Sequence, residues 1–126
     1  MISNTNELRK EITTLLKTVT TNVYYHNITN ATKPYIVFAL KELATNSGRT
    51  SSQLEVNIVD KTPAGVNILA DRVQDLFDGK IDIGNKYAFY SFRGQRQIVD
   101  EEDKNIERIR LMIDLFSYER EENSND

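Results

Sequence analysis

Hydrophobic residues along this chain follow two periods, and the switches between them mark out its elements. Leu8, Ile12, Leu15, Leu16 and Val19 recur at three- and four-residue spacing, which gathers them on one side of a helix. Asn4 with Glu7 three residues later has the form of a capping box, so a first helix is predicted over roughly residues 4–19. Val23-Tyr24-Tyr25 reads as a short strand, and the polar run His26 to Lys33 as a loop closed by Pro34, a residue suited to a strand start or edge. From Tyr35 to Leu43 the period is two, but both faces are apolar: Tyr35, Val37 and Ala39 on one, Ile36, Phe38 and Leu40 on the other. A helix covers only one of these faces. The other is buried either within a two-layer domain or against a neighbouring subunit.

Thr45 to Ser52, rich in Ser, Thr and Asn and carrying Arg49, is predicted to be a loop between paired strands. Leu54, Val56 and Ile58 alternate with Glu55 and Asn57, a half-buried strand that ends near Asp60. Thr62-Pro63 then starts a second helix, with Thr62 as N-cap and Pro63 in the first turn, where a missing N–H costs nothing. Val66, Leu69, Ala70, Val73, Leu76 and Phe77 line its inner side, and Gly79 is its stop.

Tyr87 to Phe92 is again aromatic on both faces, and Gly94 marks a bulge before the strand continues to Val99. The acidic run Asp100-Glu101-Glu102-Asp103 turns the chain into a last strand over about residues 105–118. Ile109, Leu111, Ile113 and Leu115 there alternate with Arg108, Arg110, Met112 and Asp114. A helix over about 101–120 competes, because Ile106, Ile109, Ile113 and Phe116 also fit a period near 3.6; the β-branched alternation favours the strand. The expected fold is α+β, a mostly antiparallel sheet of four to five strands with two helices packed on one face. The whole chain, 1–126, reads as one domain, with an ordered core over about 4–118 and a charged, fraying tail over 119–126.

Composition narrows the chemistry. A formal net charge of −3 over 126 residues supplies no global positive field to gather duplex DNA. The chain has no cysteine, which removes disulfides, thiolate metal sites and thiol nucleophiles together and suits a reducing interior. No apolar run approaches the roughly 20 residues that span a bilayer, and the first residues lack the apolar core of a secretory signal. Host cytoplasm is therefore the expected place of synthesis, and the acceptor-like triplets at Asn27 and Asn30 are loop polarity.

Catalytic readings find little to stand on. A calcium loop of EF-hand type needs a glycine at its sixth position, where counting from Asp100 places Asn105. Glu102-Asp103-Lys104 contains the Glu-x-Lys used by some metal-dependent nucleases, with Asp82 or Asp100 as the upstream carboxylate, but the tripeptide is common and no basic groove accompanies it. His26, the one histidine, lacks the nucleophile and orienting acid that a base of the Ser–His kind requires. No phosphate-cradling glycine motif occurs. The expectation is a protein that is not an enzyme and holds no cofactor or metal. Arg93, Arg96, Arg108 and Arg110 fall in the last two long strands, where they pair across strands with Glu107, Asp114 or nearby acids, or reach carboxylates of another subunit.

Tyr24-Tyr25, the strand Pro34-Tyr35-Ile36-Val37-Phe38, the strand Gln53-Leu54-Glu55-Val56, the helix around Asp71 and the Glu102-Asp103-Lys104-Asn105 to Arg110 ending succeed one another along the chain. In that order they resemble the small tail-completion proteins, tail terminators or head–tail joining proteins, of long-tailed bacteriophages. The resemblance extends from about Leu8 to Tyr118 and consists of short strands and helices, not of a catalytic signature. It implies a structural protein of the virion neck that assembles, as a six-fold ring, on the last ring of the tail tube protein. The ring stops tube growth and docks a head connector or stopper protein, while DNA passes through the channel without specific binding. Arg93, Arg96, Asp100, Glu101, Glu102, Asp103, Arg108 and Arg110 are the candidate subunit-interface residues. Another neck component, a head-completion or stopper protein, is the nearest alternative. A small acidic inhibitor or immunity-type module that neutralises a basic enzyme is the more distant one.

Overall fold

The computed structural model describes residues 4–26, 32–46, 49–77, 79–83, 87–101 and 106–119. Its elements in chain order are α1 (Asn4–Leu16), β1 (Val23–Tyr25), β2 (Tyr35–Asn46), β3 (Arg49–Asp60), α2 (Pro63–Leu76), β4 (Gly79–Ile83), β5 (Tyr87–Val99) and β6 (Glu107–Glu119). The strands form one sheet in the order β1-β2-β3-β6-β5-β4, antiparallel throughout except for β1, which runs parallel to β2. The α+β class is as expected. The sheet is one strand larger than the sequence predicted.

The register explains the core. Ile36, Phe38 and Leu40 of β2 face Ile58, Val56 and Leu54 of β3, which in turn face Ile109, Leu111 and Ile113 of β6. These nine side chains share one sheet face, and each is buried. Leu8, Ile12 and Leu16 of α1 and Val66, Leu69, Ala70 and Val73 of α2 complete the same cluster. Helix α1 packs on β1 and β2, and α2 on β3 and β6, so both helices lie on one face. Each fully buried Leu or Ile contributes about 1.5–3 kcal/mol relative to exposure, which makes this interface the main source of stability.

Helix α2 starts as expected. Thr62 is extended (φ −127°, ψ 151°), and its hydroxyl accepts the Gly65 N–H at 3.0 Å, with Pro63 in the first turn. Gly65 is required sterically, since a Cβ there would lie 2.4 Å from Oδ2 of Asp60. At the other end Phe77, not Gly79, is the C-cap, and Gly79 opens β4. The alternation Ile81, Asp82, Ile83 was the sequence signal for β4, and five residues between a glycine and Gly84 are too few for periodicity to be decisive.

Helix α1 ends at Leu16 instead of Val19. Its last turn tightens through Thr18 N–H to Leu15 O (3.1 Å) and Val19 N–H to Leu16 O (2.9 Å), while the Thr18 hydroxyl donates to Leu15 O. A run of threonines, β-branched and able to bond locally, outcompetes continuation of the helix. The side chains of the Asn4–Glu7 capping pair lie outside the described ones.

The loop expected over Thr45 to Ser52 is instead the end of the β2–β3 hairpin. Thr45 faces Thr50, and Arg49 to Ser52 face Tyr118 to Leu115 of β6. A neighbouring strand offers a partner at each of these β3 positions, and that decides the backbone whatever the polarity of the side chains. Residues 47 and 48 lie outside the described ones, as do 27–31 of the loop after His26, 102–105 of the acidic turn and 120–126 of the tail. The strand assignment at the end of the chain holds against its helical competitor, and the register of β5 on β6 slips between Arg93 and Gln95, where Gly94 was read as a bulge.

Replacing Thr62 by Ala is expected to lower stability by about 1 kcal/mol through loss of the N-cap acceptor, measured as a shift of the urea midpoint at unchanged slope. Thr62→Ser should restore most of it.

Candidate assembly surface

The sheet face opposite the helices has no element covering it among the described residues. Its positions run in rows across the strands: Tyr35, Val59, Arg108, Val99; then Val37, Asn57, Arg110, Gln97; then Ala39, Glu55, Met112, Gln95. Tyr24 of β1 extends the second row beside Val37. Tyr35, Val37, Ala39 and Met112 are half-buried, so the apolar second face of β2 read from the sequence lies on this bare side and no layer of the subunit itself is built over it.

Polar groups on the face are linked in a short chain. Arg110 Nε donates to Asn57 Oδ1 at 3.4 Å, and Asn57 Nδ2 donates to Glu55 Oε2 at 2.9 Å. Asn57 is 6% exposed. Its amide therefore relays between a guanidinium and a carboxylate, so neither its donor nor its acceptor is left bare. Such a link is rigid but leaves the outer edge of both charges available to another molecule. One row away, Arg108 Nε lies 2.5 Å from Glu101 Oε1. That Nε is closed to solvent and meets no acceptor in hydrogen-bond alignment, so the contact is an ion pair that misses the direction of the N–H. It draws the start of the acidic turn over the bare face. Val59, flanked in register by Tyr35 and Arg108, is fully buried there although it is outside the main core.

Arg96 belongs to the other side. Its guanidinium donates to Asp71 Oδ1 and Asn67 Oδ1, each at 2.7 Å, and to Gln74 Oε1, three acceptors on one flank of α2. It pins the outer strand β5 to a helix that otherwise packs on β3 and β6. The four arginines grouped by the sequence reading are thus separated. Arg108 and Arg110 stand on the bare face, Arg96 works against α2, and Arg93 sits opposite Ile113 at the bulge. The partners also differ from those expected: Glu101 and Asp71 take the roles assigned to Glu107 and Asp114. The missed residues are Asn57, whose importance is visible only once the register sets it opposite Arg110, and the Asn67, Asp71, Gln74 flank, whose spacing is helical but whose partner is distant in sequence.

Of the acidic run, Asp100 is exposed and Glu101 half-buried, and Glu102 and Asp103 lie outside the described residues. The Glu102/Lys104 pair of the nuclease alternative is likewise outside them. No group of three or more His, Asp or Glu side chains able to hold a metal ion occurs among the described residues. His26 is exposed, has φ 71°, and places its ring against Tyr25 at 4.3 Å between centroids. No described helix is long and apolar enough to cross a membrane.

No protein-family model matches the chain, and no curated protein does. Solved structures do match in fold. A chain of the virion of a native gene transfer agent particle superposes with a TM-score of 0.60 at 16% identity, over 84% of each chain. A second solved protein, which carries no functional description, superposes with a TM-score of 0.56 at 15% identity, over 93% of each chain. At these identities the likeness is one of fold, spanning almost the whole sheet and both helices.

In a double-mutant cycle, Arg96→Ala with Asp71→Ala is expected to show a coupling below about 1 kcal/mol, because Asp71 is 68% exposed and the pair is screened. A coupling above that range would mean that Arg96 holds β5 and α2 together chiefly through this one carboxylate.

Proposed function

We propose that this chain is a virion assembly protein of the tail-completion kind, which caps the end of a tail tube as a ring and joins the tail to the head connector. The observation that carries the reading is the fold shared with a chain of a gene transfer agent virion over 84% of each chain. The helix-free sheet face supports it. Such a face, half apolar and linked by Arg110, Asn57 and Glu55, is the composition of an interface that forms after folding.

The mechanism is geometric. A cap must bind the last tube ring on one side and offer something different on the other, or the tube would simply continue. A sheet covered by helices on one face and bare on the opposite one gives each subunit two unlike surfaces, and a cyclic head-to-tail contact likewise uses two different patches. In this reading the ring is six-fold by resemblance. The bare face with Arg108, Arg110 and Glu101 meets a neighbouring subunit or the tube, and Arg96 serves inside the subunit. The net charge of −3 suits a channel through which DNA slides without sticking.

Arg110→Glu is expected to give a folded protein, with unchanged circular dichroism and melting, that fails to complete tails when mixed with tailless heads and free tails. Leaving partners of a buried arginine unpaired costs roughly 2–5 kcal/mol per contact, repeated around a ring. Normal completion by this variant would remove the bare face from the interface. The unmodified chain is also expected to show no salt-sensitive nanomolar binding to duplex DNA in a filter or anisotropy assay; such binding without tail association would overturn the assembly reading.

A further inference from the structure

Both sides of the sheet end in a strand too short to cover its neighbour. β1 pairs with β2 only at Ile36 to Phe38, which leaves Ala39–Asn46 without a strand partner on its outer edge. β4 pairs with β5 only at Tyr87 to Ser91, which leaves Phe92–Val99 open in the same way. Among the described residues no strand or backbone hydrogen bond covers either run. An edge of this kind is a template for another strand, and folded proteins usually blunt it with proline, lysine or a covering element. From Gln95 to Val99 there is no proline or lysine, and Ile98 is 74% exposed, the highest value among the described large hydrophobics.

We propose that these two edges are complementary: the open run of β5 in one copy adds as a strand to the open run of β2 in the next. The inference rests on the ring reading above and deepens it by naming the contact. The runs are of equal length, eight residues each. β2 and β5 point in opposite directions within the subunit, because three antiparallel pairings separate them. A head-to-tail neighbour therefore makes an antiparallel pair and continues the alternation of the sheet.

The ends of the runs set the register. Val99 meets Ala39, where β1 stops, and Phe92 meets Asn46, where the partner's β2 ends. This pairing keeps the faces matched, since Gln97 and Lys41 both belong to the bare face and Ile98 then lies across from Leu40 on the helix face. It also puts the two irregularities, between Glu42 and Ala44 and between Arg93 and Gln95, at neighbouring positions. An exposed isoleucine gains an apolar cross-strand neighbour.

The stagger has a consequence for shape. Within one subunit Val99 is level with Tyr35, through Arg108 and Val59. Pairing it with Ala39 of the neighbour shifts each copy by four residues, about 13 Å along the strands, for every four strands, about 19 Å across. That slope corresponds to a strand tilt of about 35°, at the lower bound of the tilt with which sheets close into barrels. Edge pairing in this register leads to closure and not to a flat array.

Because the chain has no cysteine, the contact can be read with introduced thiols. Lys41→Cys and Gln97→Cys are both at exposed positions, and three strand spacings separate them within a subunit, roughly 14 Å, too far for an intramolecular disulfide. Mild oxidation of the double variant, with light scattering on the same sample and in the presence of tails, is expected to give a covalent ladder ending at one closed species, while neither single variant forms it. Rings that scatter normally but do not cross-link would overturn the edge contact and leave the proposed function standing. Dimers from Gln97→Cys alone would overturn it in favour of β5 pairing with itself. A chain that stays monomeric with and without tails would overturn both readings.

Discussion

A six-stranded sheet is wider than two helices can cover, and the organisation of this protein follows from how that shortage is resolved. Both helices are placed on the same face, over β1, β2, β3 and β6. The buried residues of β2, β3 and β6 form three aligned rows, so the ladder between β3 and β6 carries the centre of the core on one side and the most connected polar chain on the other. Asn57 and Arg110 face each other in the same ladder that buries Ile58 against Ile109. Had the helices been split between the faces, each would have covered less than half a core, and both apolar sides of β2 would have remained partly open.

The bare face is therefore a product of the same arrangement that stabilises the fold. Its charges are balanced locally. Arg110 is answered through Asn57 by Glu55, and Arg108 by Glu101. Local balance keeps the isolated subunit from presenting unpaired buried charge, and it means that any partner must compete with, or add to, contacts that already exist. Burial of such a face without a matching polar pattern would carry a desolvation penalty, which favours specific over indiscriminate association.

Much of this was legible in the sequence, and the parts that were not share a cause. Period-two alternation identified β3, β5 and β6, and the Thr62-Pro63 start of α2 was correct to the residue, because these signals are local. The end of α1, the hairpin from Thr45 to Ser52 and the strand β4 depended on which backbone groups found partners far along the chain. The arginines show the same limit. Their presence on two paired strands was evident, but the bulge at Gly94 and the position of α2 decide that Arg96 turns to Asn67, Asp71 and Gln74 while Arg110 turns to Asn57. The bare face itself was foreseen as one of two alternatives for β2, since a strand apolar on both sides in a chain with only two helices has one side left over.

Helix α2 stops short of β5, and Arg96 is the tie between them that the described side chains show. The sheet is therefore mechanically graded: its middle is clamped by the core, while β5 and β4 are attached through their backbone ladders and one polar clasp. Local opening is cheapest where buried apolar contact is least, so the β5 side can flex or twist about the β6 ladder while the packing of α1 and α2 stays intact. A subunit with one stiff flank and one compliant flank can adapt its angle to its neighbour at low energetic cost, a property that a rigid wedge of the same shape would lack.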